Sequence, residues 1–296
     1  MSRVSYGTLG VYLRLTVMLA LLSGILVGLG FVIGGLEIAW MFFLVSLFMN
    51  FLMYMISDKI VLFSTGTKIV SKQEAPRLHE VVERVAAKAG IPKPKVGIIR
   101  SNLPNAFATG RGPGSAVVAA TTALVDRMDD DELEAVIAHE VGHVLHRDTL
   151  VMTIAVAIAT AISYIANSLL YAFMLGGARS SRDRDGAAGA AMLGAAVAAP
   201  VAASLIQLAI SRSREFYADE ESGLLTGKPL SLASALRKIE EFMRMGAKVR
   251  APPSTAALWI SNPFRGSDVL ELFSTHPSTR KRIERLEALD RRLRMR

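Results

Sequence analysis

Two long apolar runs, Leu15 to Ile33 and Leu36 to Ile56, open the chain with only Gly34 and Gly35 between them. Each is long enough to cross a hydrocarbon core of about 30 Å, and so short a connection makes them a transmembrane helical hairpin. Inside lipid every backbone N–H and C=O must find a partner within its own segment, which commits this part of the chain to helix. Composition agrees, since 51% of the 296 residues are hydrophobic and the mean hydropathy of +0.37 is too apolar for an ordinary soluble domain. No convincing small-residue cleavage site followed by a soluble body marks the first run as a removable leader, so it reads as a retained anchor. A third run, Leu150 to Leu175, is also long enough to cross. The fourth, Ala187 to Ile210, is rich in Ala and Gly and broken by Pro200, and reads as a full span or a partial, kinked one.

Cysteine is absent, which excludes disulfides, thiolate metal sites and a cysteine nucleophile. The net charge of +8 does not point to nucleic acid, because the Arg and Lys residues sit mostly in segments flanking apolar runs. An anionic membrane surface is the simpler partner.

Four regions follow from these boundaries: an N-terminal hairpin over 1–56, a first soluble part over 57–148, a second pair of membrane helices over 149–210, and a second soluble part over 211–296. In the first soluble part, Pro76 to Ala89 reads as an amphipathic helix with Leu78, Val81, Val82 and Val85 on one face and Gly90 as its stop. Short β-prone stretches follow at Lys95 to Arg100, Asn105 to Thr109 and Ser115 to Thr122, with Gly110 to Gly114 turning between the last two. Asp129, Asp130 and Asp131 then start a helix whose apolar face is Leu133, Val136 and Ile137, and which is long enough to run on into the third apolar run. The second soluble part reads as mainly helical, ending in a basic amphipathic stretch from Pro277 onward.

The helix from Asp129 carries His139-Glu140-Val141-Gly142-His143. Residues four apart share a helix face, so both imidazoles can reach one metal ion while Glu140 addresses the water bound to it. Zinc with a neighbouring carboxylate base is the expected chemistry. A catalytic zinc needs a third protein ligand. An extended pattern that places glycine and histidine after the second ligand fails, because His146 and Thr149 occupy those positions. His146 itself lies one turn beyond His143, but three ligands stacked on one straight helix span too much length for a tetrahedral site. A better third ligand lies past the fourth apolar run, in the segment from Ser211 to Asp219. There Glu215 would bind the metal and Asp219, one turn on, would accept a hydrogen bond from the free nitrogen of a ligating imidazole. The alternative is two surface carboxylates pairing with Arg212 and Arg214.

A metal shared by residues 139–143 and 215 requires both soluble parts on one side of the membrane. Ser57 to Asp148 carries 12 Lys and Arg and Ser211 to Arg296 carries 17, against 3 between Arg179 and Arg184 and none between the first two runs. By the positive-inside rule the soluble face is cytoplasmic.

These residues together resemble one family. The two N-terminal spans, Asn105 to Gly110, Glu132 to His143, Ser211 to Asp219 and Thr275-His276-Pro277 are similar to the HtpX family of bacterial and archaeal membrane zinc endopeptidases, which are related to CAAX prenyl proteases. The resemblance covers nearly the whole chain. It implies a mainly α integral membrane protein with about four transmembrane helices and a gluzincin-type α+β catalytic domain, whose short β-sheet carries a substrate-binding edge strand. One Zn2+ per chain would be held by His139, His143 and Glu215, with Glu140 as base and proton shuttle and Asp219 behind a ligand. Asn105, Ala106, Phe107 and Ala108 would bind substrate backbone in extended form, and His276 would donate a hydrogen bond to the oxyanion. The implied activity is hydrolysis of unfolded or misfolded membrane proteins in the cytoplasmic membrane, as quality control, with the active site facing the cytoplasm. Two other readings stay open: a zinc peptidase for prenylated or other lipid-linked peptides, and a catalytically silent membrane scaffold whose zinc is closed by a fourth ligand among His146, Asp148 and His276. Few ionisable residues lie in the spans, which argues against a transporter. The sequence does not fix an oligomeric state.

Overall fold

The structure, a computed structural model, describes residues 8–176, 201–207, 209, 212–263 and 277–295. The first helix, α1 (Thr8–Ser64), is two helices joined at a break: Gly34 (φ −158°, ψ 31°) and Gly35 (φ 68°, ψ −155°) leave helical geometry, and the left-handed φ of Gly35 is one that side-chain-bearing residues rarely adopt. The halves lie side by side, as the hydrogen bond from Asn50 Nδ2 to Ser23 Oγ at 2.9 Å shows. The hairpin expected from the two apolar runs is therefore present. Its second half continues to Ser64 instead of ending near Ile56, because Ile60 to Phe63 resume the apolar pattern and Val61 is buried against the sheet.

Past the hairpin, β1 (Lys68–Ile69), α2 (Pro76–Ala89), β2 (Lys95–Ile99), β3 (Ala106–Thr109) and β4 (Val117–Thr121) build a sheet with a helix packed on it. The strand order is β1-β2-β4-β3; β2 and β4 are parallel and the other two pairs antiparallel. This places β3 at an edge. The short β1 carries no period-two signal and was invisible in the sequence pattern. α2 ends as expected at Gly90, whose left-handed conformation (φ 69°) lets its N–H bond Ala86 and Ala87. After α3 (Thr122–Arg127) comes the central helix, α4 (Asp130–Leu145). Its start is fixed by a reciprocal capping box, in which the Asp129 side chain accepts from Glu132 N–H while Glu132 accepts from Asp129 N–H.

The central helix does not run on into the third apolar run. Arg147 adopts a left-handed φ of 58°, and the chain restarts in a new direction as α5 (Asp148–Gly176). Within the first soluble part α4 is covered by α2 and the sheet. From the second it is covered by α6 (Arg212–Thr226) and α7 (Pro229–Arg244), with α8 (Thr279–Arg294) outermost. One apolar core therefore joins Leu78 and Val82 of α2, Val96 and Val118 of the sheet, Leu133, Val136 and Ile137 of α4, Leu232 and Leu236 of α7, and Leu286 of α8. The two soluble stretches, far apart in sequence, make a single body around α4.

Among the described residues, three helical segments are long and apolar enough to cross a membrane: Gly10–Gly28, Gly30–Ser64 and Asp148–Ser168. The first exposes Leu13, Leu21 and Ile25 and the second Val32, Trp40, Phe48 and Phe51, as lipid-facing surface would. Helix α5 is the most enclosed of the three, packed through Ile154, Ala155 and Ile158 against Val11 and Met18 of α1 and Leu205 of a helical stretch at 201–207. Of the fourth apolar run only residues 201–207 and 209 are described, all helical; the rest lies outside the described residues.

Candidate metal centre

Three of the expected ligands converge. His139 and His143, one turn apart on α4, point their Nε2 atoms to within 3.2 Å of each other. Glu215, in the first turn of α6, brings Oε1 to 3.5 Å from His143 Nε2 and Oε2 to 3.9 Å from His139 Nε2. One donor atom from each of the three falls within 4.8 Å of the others, and among the described residues no other group of this kind forms. Donors bound at 2.0–2.1 Å in a tetrahedron sit about 3.4 Å apart, so this spacing fits zinc with two imidazoles and a carboxylate.

Close approach of two helices makes the convergence possible. A methyl group at Gly142 would stand 3.3 Å from Ala218 Cα, tighter than most real contacts, and in ordinary contact with Glu221 Cβ at 3.5 Å. Glycine inside the histidine motif thus lets α6 lie directly on α4 and carry Glu215 to the imidazoles.

Both imidazoles have a carboxylate behind them. His139 Nδ1 is 3.0 Å from Asp219 Oδ1, and Asp219 in turn receives two hydrogen bonds from Arg282, at 2.9 Å from Nε and 2.6 Å from Nη2. Arg282 is buried and its Nη1 donates to the Ile260 carbonyl at 2.7 Å. Burial alone would raise the Asp219 carboxyl, but the Arg282 charge and the bond with His139 hold it below its ordinary value. His139 moves the other way: burial, opposed by Asp219 and reinforced by Arg282, brings its imidazole down to about 4, so it is neutral as a ligand must be.

Glu140 lies on the adjacent face of α4. Burial pushes its carboxyl up to about 7; His143 opposes that rise and Glu215 adds to it, while the backbone N–H of Ala108 donates a hydrogen bond. Its Oε1 is buried with no hydrogen-bond partner. Such an atom is costly unless a ligand, water or metal answers it. A cavity of about 40 Å3, enough for a few waters, opens here, lined by Ala108, the histidines, Glu215, Asp148, Arg214 and residues 257–260.

The four strand residues singled out in the sequence divide. Asn105 is committed to the protein itself, donating from Nδ2 to Ser261 O at 2.7 Å and accepting from Ala106 N–H at 3.0 Å. Ala106 O accepts from Ile260 N–H at 3.0 Å. The Phe107 ring is buried edge-on against Trp259, centroids 5.1 Å apart. Ala108 alone lines the cavity. His276 lies outside the described residues. His146 is turned from the trio towards Glu221, at 3.9 Å.

Arg282 and the Ala257 to Ile260 wall were not foreseen. A signal existed for the first: Arg282, Leu286 and Leu289 recur at helical spacing, and all three are buried, so the arginine sits inside an apolar stripe. The wall has no such pattern.

An imidazole pair, a carboxylate and a buried glutamate at one cleft, carried on helices that pack against membrane spans, define a membrane metallopeptidase. The chain belongs to peptidase family M48, whose model matches residues 72–290, and is a homologue of the protease HtpX. It is 50% identical over 281 residues to the HtpX homologue of Pyrococcus abyssi, covering 95% of this chain and 96% of that one. It is 45% identical to the homologue of Aquifex aeolicus, covering 92% and 90%. The crystal structure of S. mikatae Ste24p shares the fold, with a TM-score of 0.51 and 19% identity over 95% of this chain and 63% of that one.

Proposed function

We propose that the chain is a zinc endopeptidase of the cytoplasmic membrane that cleaves unfolded or misfolded membrane proteins, with His139, His143 and Glu215 as ligands and Glu140 as base. The convergence of these four side chains on one cavity carries the reading. Zinc, when bound, supplies a Lewis acid and acidifies water at neutral pH. Glu140, near neutrality, can take up a proton during attack and return it to the departing amine. Asp219 fixes which His139 nitrogen faces the metal, and Arg282 keeps Asp219 charged. Substrate backbone would lie along the edge of β3 at Ala108, where the Ala108 N–H already serves Glu140, because Ile260 and Ser261 hold the Asn105 to Ala106 end. His276 is proposed to assist the oxyanion, from its place before Pro277 in the family pattern.

Topology follows from the site. Glu215 and the histidines share one face, so the outward crossing by α5 must be reversed before residue 212; the fourth apolar run, residues 187–210, is proposed as that return. The soluble parts, 57–148 and 211–296, then form one cytoplasmic peptidase domain, in agreement with their 12 and 17 basic residues. Replacing Glu140 with Gln should leave zinc bound and lower casein or unfolded-membrane-protein cleavage by about 10²–10⁴-fold. Undiminished cleavage by the pure, metal-loaded variant would refute this role.

A further inference from the structure

We propose that Asp148 and Arg214 are a second positioning pair, which holds the His143 imidazole for the metal as Asp219 and Arg282 hold His139. The proposal rests on the reading of His139, His143 and Glu215 as zinc ligands. An imidazole that ligates through Nε2 carries its proton on Nδ1, and that N–H needs an acceptor which also fixes the ring's orientation. For His139 the acceptor is Asp219. For His143 the atom facing Nδ1 is Asp148 Oδ2, at 3.5 Å. That is the outer limit of a hydrogen bond, yet in a site where His143 is 16% and Asp148 12% exposed the carboxylate's charge still orients the N–H strongly.

Several features of the chain converge to put Asp148 there. The left-handed turn at Arg147 breaks α4 from α5 and makes residue 148 the first of the new helix. Its carboxylate sits at a helix N-terminus, where negative charge is favoured, and folds back against the last turn of α4. Arg214, the neighbour of Glu215 on α6, makes an ion pair with Asp148 and is itself only 20% exposed. The arrangement repeats the chain from His139 to Asp219 to Arg282: imidazole, carboxylate, then a largely enclosed arginine that pairs with the carboxylate and fixes its place. It differs in its anchorage. Asp219 and Arg282 come from the soluble helices α6 and α8, whereas Asp148 opens the membrane-spanning α5, so the orientation of His143 depends on how α5 is seated. Asp148 is not itself among the converging donors, and Arg214 stands against it, so it acts through the histidine.

The test is metal affinity, measured on the purified full-length chain by competition with a zinc chelator, alongside the absorption spectrum of the Co2+-substituted protein and the melting temperature of the metal-free form. Asp148→Asn should weaken zinc binding about 10–100-fold and shift the cobalt spectrum, with the metal-free melting temperature little changed. Arg214→Gln should act in the same direction, Arg214→Lys should recover most of the loss, and the double variant should bind no more weakly than Asp148→Asn alone, because the arginine works through the aspartate. Wild-type affinity and spectrum in folded Asp148→Asn and Arg214→Gln would overturn the proposal. So would losses that add in the double variant and track a fall in metal-free melting temperature, which would make the pair a splint between α5 and α6. His143→Ala is the control: if it keeps wild-type affinity, or if the wild type takes up no zinc, the ligand reading itself is refuted.

Discussion

Arg282 shows how much of the site is held by side chains that never touch the metal. It is a buried cation answered by Asp219 and a backbone carbonyl, so its removal leaves a buried carboxylate without its partner. Arg282→Ala should cost about 3–5 kcal/mol of stability, read as a fall in melting temperature of the metal-free protein, whereas a surface arginine such as Arg280 should cost almost nothing. The histidine motif, Glu215 and Asp219 were legible in the sequence because their chemistry imposes a spacing of four. Arg282 was marked only by its helical spacing with Leu286 and Leu289, a pattern that places it on the buried face without revealing that it serves Asp219. Asn105 marks another limit: its amide serves Ser261, a residue 156 positions away that no local pattern could pair with it.

At the scale of elements, the contact of α4 with α6 decides whether a third ligand arrives. In Gly142→Val the Cβ alone would stand 3.3 Å from Ala218 Cα, and the two further methyl groups are expected to push the helices apart. Zinc affinity should fall at least about tenfold, comparable to the loss of an orienting carboxylate, and chelator competition would measure it. A second junction joins α4 to α7, where buried Glu132 accepts from Ser234 Oγ at 2.7 Å and Lys238 Nζ at 2.6 Å. Burial raises this carboxyl, but Lys238, Ser234 and Asp129 N–H outweigh it and the net direction is down. A depressed folded-state value means the stabilisation is complete above the unfolded value of about 4.3 and disappears as pH falls through the folded one. Glu132→Gln should therefore cost about 2 kcal/mol at neutral pH, and in melts across pH the gap to wild type should begin to narrow below about pH 4.3 and close once pH falls below the depressed folded value. The amphipathic α2, the strands and the start of α4 were readable from periodicity and capping residues. The break at Arg147 was not, because a left-handed non-glycine residue carries no compositional mark.

For the whole molecule, two soluble stretches separated by a membrane segment fold as one body around α4, and the metal site sits where they meet the spans. Orientation can be tested cleanly, since the chain has no cysteine of its own. Single-cysteine variants Ser71→Cys and Glu284→Cys should react with an impermeant thiol reagent only from the cytoplasmic side, and Glu37→Cys, beside the hairpin turn, only from the opposite side; the reverse pattern would invert the topology. The hairpin was legible because lipid permits so few backbone solutions. The meeting of the two soluble parts was not visible in periodicity at all, and followed only from asking where the third ligand must come from. Glu215 is thus the residue on which site, topology and class all depend. The most direct measurement is the zinc retained per chain by wild type and by Glu215→Ala after equal dialysis against chelator: one ion in the wild type and almost none in the variant is the expected result, and equal retention by the two would contradict it.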